Sequence, residues 1–396
     1  MNQLKKIVLK ESGKFRPPHP WIYRNSISYV DPGIKAGDIA AIVKYNGIFL
    51  GIGYYNPKSV IAVRLLSDID EPINKQFFID RISIAFAKRE PIKKISNAFR
   101  IISSEADGLP GLIADIYNDT IVFQISTLGM EHFKQDIISA MHDVIKPVYI
   151  YEKSDSSGRA IEGLKPESGW HGAKGNGIVE IYENNAVFII DIVHGHKTGF
   201  YLDQRKARLA AGNFAKGRNV LDVFCYTGGF AIHCALKKAV HVTCIDTKND
   251  WLLNVRKNSE KNNVSDVIEC IKGDAFNILH KYWQDKVFFD MIILDPPSFV
   301  KTRHALKTAV KGYLDLNRSA MRLLTGKGIL CTFSCSHHIT GDIFFDMLKK
   351  AAELENKILS VLKRCHQDKD HPIIKGIPES EYLKGYFFSV ESKNEK

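Results

Sequence analysis

Cysteine is missing from the first 224 residues of this 396-residue chain, and the seven cysteines present all lie at or beyond Cys225. Seven is odd, no two form a CxxC pair, and each lies in an apolar stretch. A disulfide framework and a structural zinc site are therefore both poor explanations for them. No apolar run is long enough to span a bilayer, and the opening MNQLKKIVLK is not built like a signal peptide. A cytoplasmic protein with no membrane partner is expected. GxGxxG and GxxxxGK[ST] are also missing, which removes the usual phosphate cradles for dinucleotides and ATP. There is no internal repeat and no low-complexity tract.

The remainder is ordinary for a globular protein: 45% apolar and 25% charged residues, in a chain long enough for two or three domains. Charge is less evenly spread. The net charge is +11, and residues 1–100 alone carry 17 Lys and Arg against 8 Asp and Glu. A basic start on a near-neutral body suits a polyanionic partner, nucleic acid first, with plain solubility as the alternative.

Three segments are expected. Residues 1–72 hold short alternating runs punctuated by Gly, Pro and Asn, such as GDIAAIVKYNGIFLGIGYYNP, the pattern of a small barrel of short strands. Residues 73–190 open with the helical spacing of NKQFFIDRISIAFAKRE, continue through strand-like runs, and include a second helix, MEHFKQDIISAMHDVI; this is α+β. Residues 191–396 alternate strand and helix: RNVLDVFCY, GGFAIHCALKK, HVTCID, NDWLLNVRKNSEKNN, VIECIKGD, FDMIILDPP, GILCTFSCS. Such alternation predicts a parallel, Rossmann-like sheet covered by helices on both faces. Near the end, DHPI and YLKGYFF read as a final hairpin of that sheet.

Ligands of such sheets bind at the carboxyl ends of the strands. VLDVFCYTGGF places a turn with Gly228 and Gly229 after the first strand, where the backbone can approach a bound molecule closely. Asp246 ends the next strand, 18 residues past Gly228, an offset that suits a carboxylate accepting both hydroxyls of a ribose. Asp274 lies at the third strand end. Each acid has an alternative role as a helix N-cap. With no phosphate cradle, a nucleoside without phosphates fits best, and S-adenosylmethionine is the obvious one.

These motifs, DVFCYTGGF, CID, GDAF, LDPPSF and FSCS in order, resemble those of class I S-adenosylmethionine-dependent methyltransferases. The resemblance implies that Asp222, Tyr226, Gly228 and Gly229 hold the methionine part, Asp246 the ribose, and Asp274 the adenine amine. It extends over nearly the full length. PHPWIYRNSI, GIGYYNPKSVIAVRLLS, EADGLPGLIADIY, HKTGFYLDQR and DHPIIKGIPESEYLKGYFFSV look like the bacterial large-subunit ribosomal RNA cytosine-5 methyltransferases of the RlmI type. That family implies an N-terminal PUA domain, a central α/β domain and a methyltransferase domain, with ribosomal RNA as partner, naked RNA as substrate and a homodimer as expectations. The basic start overlaps the PUA segment, where Arg16 and Arg24 are candidate RNA contacts. In HKTGFYLDQR, Lys197, Tyr201, Gln204 and Arg205 are candidates for closing the cofactor pocket or reaching a phosphate. The resemblance favours the cofactor side, and a surface linker is the alternative.

Carbon 5 of a pyrimidine is a poor nucleophile until a thiolate adds to carbon 6. The reaction needs an activated cysteine, a proton donor at N3 and a flipped-out base. Asp295, ending FDMIILD on the cofactor side, is the candidate donor if burial keeps it protonated; otherwise it turns the strand. Pro296 and Pro297 stiffen the loop, and Phe299 either stacks on the target base or packs the loop. Cys331 and Cys335 alternate onto one face of GILCTFSCS. Cys331, mid-strand, reads as core. Cys335, at the polar end, is where the resemblance places the nucleophile; a small buried hydrophobe is the alternative. A metal site from Cys335, His337 and His338 lacks a fourth ligand, and adjacent histidines on a strand point apart, so no metal is expected.

Ser298 stands where a separate group of RNA cytosine-5 methyltransferases carries a second cysteine, so the acceptor of the carbon-5 proton has no candidate. The same loop resembles the Pro-Pro-aromatic motif of enzymes that methylate exocyclic amines, which leaves an RNA amine methyltransferase as the competing enzyme. A non-catalytic RNA-binding factor is the competing class, disfavoured by the acids at three strand ends.

Overall fold

A computed structural model describes residues 4–13, 15, 17–299 and 306–393. The chain forms two compact units. The first comprises Met1–Ile181, Ile190–Leu202 and Lys369–Ser380, and the second Tyr182–Ile189, Asp203–Asp368 and Glu381–Lys396. Among the described residues no helix is long and apolar enough to cross a membrane.

The first unit opens with six short strands: β1 (Lys6–Leu9), β2 (Trp21–Tyr23), β3 (Ile27–Val30), β4 (Ile39–Val43), β5 (Phe49–Tyr55) and β6 (Ile61–Ser67). They form one sheet in the order β2–β6–β5–β4–β1–β3. Among the described residues only β1 and β4 of this sheet pair in parallel, and register shifts interrupt the antiparallel ladders. Such bulges bend strands, here around a small core of Ile7, Leu9, Ile22, Ala40, Ile42 and Val63. Close approach of β5 to β6 explains Gly53: a Cβ there would lie 2.5 Å from the Arg64 carbonyl oxygen.

The helices α1 (Lys75–Lys88) and α2 (Glu90–Lys93) follow, then β7 (Ala98–Ser103), β8 (Leu112–Tyr117), β9 (Thr120–Ile125), α3 (Leu128–His132), α4 (Lys134–Ile145), β10 (Tyr149–Ser154), α5 (Gly158–Ile161) and β11 (Glu167–Trp170). The strands pair as β11–β10–β9–β8–β7. Helices α1 and α4 lie side by side, burying Phe77, Phe78, Ile82, Ile137 and Met141 in one core with the sheet. The expected single helix over MEHFKQDIISAMHDVI is two, because the backbone of Phe133 leaves the helical region between α3 and α4. Glu131, Glu152 and Glu167 converge closely enough to hold a cation, and Lys134 occupies that place, its Nζ 2.5, 3.1 and 2.8 Å from the three carboxylates.

DHPI corrects the expected terminal hairpin. It belongs to the first unit, where the Asp370 carboxylate accepts the Arg100 backbone N–H at 3.0 Å and the Asp370 carbonyl accepts from the Arg89 guanidinium at 3.0 Å. The same Arg89 makes a buried two-point bond to Asp107 at 2.7 and 2.6 Å.

Strands β12 (Ile178–Glu183) and β13 (Ala186–Asp191) make a hairpin. The second unit then runs α6 (Arg205–Ala215), β14 (Asn219–Val223), α7 (Gly229–Leu236), β15 (His241–Asp246), α8 (Asn249–Lys261), β16 (Ile268–Lys272), α9 (Ala275–Gln284), β17 (Phe289–Leu294), α10 (Leu306–Arg322), β18 (Leu324–Ser334), α11 (Gly341–Leu354), β19 (Lys357–Cys365) and β20 (Lys384–Ser392). The sheet order is β16–β15–β14–β17–β18–β20–β19. The first five strands are mutually parallel, and β20 runs antiparallel to both neighbours. Both faces are covered, which is why these strands are apolar throughout. Val220, Met291, Ile293, Cys331 and Phe333 pack with α6, α7 and α8. Leu221, Val223, Ile292, Leu294 and Leu330 pack with α9, α10 and α11.

The hairpin tip joins the second unit through polar groups. Asn262, the C-cap of α8, accepts from the Val187 N–H at 2.8 Å and donates to its carbonyl at 2.6 Å; Asn258, one turn earlier on the helix, accepts from the Ile189 N–H at 2.8 Å. Glu183 is fully buried and takes two bonds from Arg208, at 2.7 and 2.5 Å, while His233 Nε2 lies 3.1 Å away. Burial alone would raise the Glu183 carboxyl, but Arg208 and His233 outweigh it and hold it well below the usual carboxylate range.

Removing one partner of such a cluster strands the other charges in the interior. Glu183→Ala is therefore expected to cost about 3–5 kcal/mol in chemical denaturation. Because the folded value is depressed, the Glu183 contribution is complete above about pH 4.3 and is lost as pH falls toward the folded value. The stability gap between wild type and Glu183→Gln should accordingly be constant near neutrality and narrow in acid.

Candidate active site

Parallel pairing puts the carboxyl ends of β14, β15, β16, β17 and β18 on one edge of the sheet, and β14 lies between β15 and β17, where the winding reverses. That is the switch point at which open α/β sheets bind ligands.

After β14 the chain makes a tight turn in which Phe224, Tyr226 and Gly228 all have positive φ, 63°, 50° and 84°. For Phe and Tyr this is a strained conformation of the kind that concentrates at functional sites. It is over-determined here. Cys225 N–H donates to the Ile245 carbonyl, Tyr226 N–H to Asp246 Oδ2 at 3.0 Å, Gly228 N–H to the Cys225 carbonyl, and Asn258 Nδ2 to the Thr227 carbonyl at 2.9 Å. Tyr226 also packs edge-on against Trp251, centroids 4.8 Å apart. A Cβ on Gly228 would lie 3.1 Å from Val255 in addition to the unfavourable φ. Gly229 is buried as the first residue of α7.

The acids take different roles. Asp222 is 1% exposed; its Oδ2 accepts the Ala231 N–H at 3.1 Å and its Oδ1 has no partner among the described residues. Burial, then Asp295 and Asp246, push its carboxyl well up. Asp246 spends both oxygens on backbone, Oδ2 on Tyr226 and Oδ1 on Lys248. Asp274 caps α9 through the Asn277 N–H at 3.1 Å, the alternative role open to it from sequence; it is exposed, and the cap uses only its Oδ1. Asp295, partly buried at the end of β17, accepts from Gln204 Nε2 at 3.0 Å. Burial and the neighbouring Asp203 raise its carboxyl to about 7, against the pull of Gln204 and Arg208.

Cys335 follows the last residue of β18, the neighbour of β17, and packs on the α6–α7–α8 side, as its alternation with Cys331 and Phe333 requires. Cys331 is fully buried. Buried serines flank Cys335: Ser334 Oγ donates to Tyr313 Oη at 3.2 Å and accepts the Ser336 N–H at 3.4 Å. Phe299 packs on Tyr313, centroids 4.7 Å apart. Pro296 is buried and Pro297 exposed. His337 and His338 are exposed, and His337 faces Tyr382 at a centroid distance of 5.7 Å.

The structure thus brings Asp222, Tyr226, Gly228, Gly229, Asp246, Asp274, Asp295 and Cys335 to one sheet edge, with Gln204 bonded to Asp295. Tyr201 belongs to the first unit, where its hydroxyl lies 3.1 Å from His196 Nδ1. Arg24 is exposed there and donates to the Pro57 carbonyl at 3.2 Å; Arg16 lies outside the described residues. Sequence reasoning missed Asp203, Tyr313 and Lys384. Asp203, beside Gln204 in a quoted motif, accepts from Tyr382 through Oδ2 and leaves Oδ1 buried without a partner among the described residues. Lys384 was legible as a lone charge inside the apolar run YLKGYFF.

Comparison with known proteins agrees with this fold. The family of PUA-like domains matches residues 8–68, and that of S-adenosylmethionine-dependent methyltransferases matches residues 161–379. "Ribosomal RNA large subunit methyltransferase I" of Shewanella frigidimarina is 39% identical, covering 93% of this chain and 94% of its own. The protein of that name from Alteromonas mediterranea is 36% identical over 95% and 96%. Among solved structures, a methyltransferase complexed with SAH superposes with a TM-score of 0.84, at 22% identity over 97% of this chain and 100% of that one. A SAM-dependent methyltransferase from Streptococcus mutans gives 0.83 at the same identity and coverage.

The Asp295 carboxyl carries a testable sign. Its folded value lies above its unfolded one, so the unfolded chain releases this proton first, and stability is lost as pH rises from about 4 to about 7. Asp295→Asn removes the titration. Its melting temperature relative to wild type should rise across that window and level off above about pH 7; a flat difference would mean that the carboxyl titrates normally.

Proposed function

The chain belongs to the S-adenosylmethionine-dependent ribosomal RNA large subunit methyltransferase I family, and from that premise we propose that it methylates carbon 5 of a cytosine in large-subunit ribosomal RNA, with Cys335 as nucleophile. The observation that supports this reading best is the pairing of a thiol and a carboxyl at adjacent strand ends: Cys335 after β18 and Asp295 after β17, the latter raised to about 7. Cytosine-5 chemistry asks for a nucleophile and a proton donor; transfer to an exocyclic amine asks for no thiol.

The residues fit the cofactor. Asp222 Oδ1 and Thr227 Oγ1 are buried without partners among the described residues, in or beside a turn where a side chain at Gly228 would be strained by its φ and crowded by Val255. Buried polar atoms of this kind are normally satisfied. We assign the methionine end to Asp222, Tyr226, Gly228 and Gly229, the ribose to Asp246, and the adenine amine to the Asp274 oxygen that does not cap α9. When bound, S-adenosylmethionine supplies a methyl group as an electrophile. In the proposed reaction the Cys335 thiolate bonds to carbon 6 of the flipped-out cytosine, and the carbon 5–carbon 6 π electrons move to carbon 5. Asp295, its carboxyl raised to about 7 and held by Gln204, donates to N3 and stabilises the charge that builds there. After methylation N3 returns its proton to Asp295, the carbon-5 proton leaves to water, its electron pair restores the double bond, and the sulfur–carbon 6 bond breaks to release the Cys335 thiolate. Pro296 and Pro297 limit the freedom of the loop carrying Asp295. Phe299, packed on Tyr313, supports the thiol end of the site as loop packing. The PUA-like segment, with Arg24 on its surface, is assigned to holding the RNA.

Incubation with S-adenosylmethionine and ribosomal RNA transcript containing 5-fluorocytidine tests the reading, since fluorine blocks the last proton removal. Wild type should form a denaturation-resistant RNA adduct and Cys335→Ala none. Methyl uptake into ordinary transcript without any adduct would hand the reading to an amine methyltransferase. Separately, Asp246→Ala should weaken S-adenosylmethionine binding at least tenfold by calorimetry while the melting profile of the variant stays cooperative.

A further inference from the structure

Lys384 is 6% exposed, one of three buried lysines among the described residues, with Lys134 and Lys153. It opens β20 opposite Ser334, so its side chain reaches the segment that carries Cys335. Its Nζ donates to the Ser336 carbonyl at 2.7 Å, one residue beyond the cysteine. Among the described residues no carboxylate pairs with it: Glu381, the nearest acid in sequence, is exposed and lies 3.3 Å from His366. A buried ammonium with one carbonyl partner costs several kcal/mol relative to an apolar residue, and the rest of YLKGYFF is apolar or aromatic. Strand packing alone gives no reason for a lysine here.

The groups around the pair can be named. Cys335 and the exposed His337 come from the end of β18, and Tyr313 from α10. Glu381 comes from the segment before β20, and Asp295 from the end of β17. Burial pushes the Lys384 amine down to about 8, and Cys335 and Glu381 pull it back up. The coupling is mutual: whatever Cys335 does for the proton on Lys384, the Lys384 charge does for the anion of Cys335. Tyr313 is pushed upward by burial first, and by Cys335 and Asp295, so it stays a neutral hydroxyl. Among the described residues Lys384 is thus the cation whose charge couples to Cys335.

We propose that Lys384 is a positioning residue for Cys335: held by the Ser336 carbonyl, its ammonium fixes the strand end and stabilises the cysteine as a thiolate. This rests on the assignment of Cys335 as nucleophile and says how that nucleophile is made. The sulfur–hydrogen bond breaks, the proton leaves to water, Lys384 keeps its own protons, and nothing is oxidised or reduced. The other six thiols are all pushed up, even where Arg256 beside Cys270, Arg218 near Cys331 and Lys363 and Lys206 near Cys365 pull the other way.

The test is the pH profile of iodoacetamide alkylation of Cys335 in the full-length protein, followed by tandem mass spectrometry that separates Cys335 from Cys331. An ordinary thiol has its midpoint near about 8.5. The wild-type midpoint is expected at least one unit lower. Lys384→Met should raise it by at least one unit, slowing alkylation at pH 7 about tenfold, and Lys384→Arg should restore most of the shift. A lysine that merely braced the strand would lower stability without moving this midpoint. A wild-type midpoint at or above about 8.5 overturns the proposal without any variant, so a Met variant that fails to fold does not shelter it; an unchanged midpoint in a folded Met variant overturns it equally. In the 5-fluorocytidine assay Lys384→Met should form adduct slowly at pH 7 and recover at pH 9. An adduct that persists in Cys335→Ala would instead remove the nucleophile assignment and leave the measured thiol–lysine coupling standing.

Discussion

Parallel pairing is the constraint on which the catalytic unit depends. Five strands, β16, β15, β14, β17 and β18, run in one direction, so every chain segment that leaves the sheet at its carboxyl edge leaves it on the same side. Asp246, Asp274, Asp295 and Cys335 are 89 residues apart at their extremes and gather only because each follows a strand of this set. The helices return the chain to the opposite edge, and the two cores, one on each face, hold the strands in register. The one antiparallel member, β20, is no departure from that logic. By running backwards it brings its first residue, Lys384, to the edge where β18 ends.

Electrostatics then differentiates groups that topology has only assembled. Asp222, Asp246, Asp274 and Asp295 are chemically identical side chains at neighbouring strand positions. One is buried with a free oxygen, one is committed to backbone donors, one caps a helix, and one is raised to about 7 beside Asp203 and Gln204. The difference lies in the number of N–H donors that reach each carboxylate and in how much water is excluded. Division of labour among like residues is therefore a property of the turns, above all the strained segment from Phe224 to Gly228, rather than of residue type.

This explains what was legible in the sequence. Strands covered on both faces read as apolar runs, and their alternation with helices gave the sheet and the edge at which to look. The motif order gave the acids, Gln204 and Cys335. Asp274 was ambiguous because a cofactor ligand and an N-cap want the same residue at the same place, and only the bond from the Asn277 N–H shows that capping is one of its roles. DHPI was misread because its partners, Arg89 and Arg100, lie 281 and 270 residues away, beyond any local pattern. The break at Phe133 lies inside an uninterrupted helical periodicity, and no Gly or Pro marks it. Tyr313 was invisible for a similar reason: on α10 it occupies a core-facing position, and nothing in its spacing reveals the bond to Ser334.

The two asparagines of α8 have a consequence beyond the hairpin they hold. Asn262 gives Val187 the paired donor and acceptor that an adjoining strand would give, and Asn258 does half the same for Ile189 while its amide also serves the Thr227 carbonyl. The outer edge of β13 is thereby closed to further strand addition, the route by which exposed edges seed aggregation. At Asn262 an amide donates and accepts at once, so Asp or Leu there would leave part of that edge open, whereas Asp at 258 would keep the Ile189 bond and lose the one to Thr227. For the evolution of this chain, the tolerance of α8 to substitution is then set as much by colloidal stability as by folding energy.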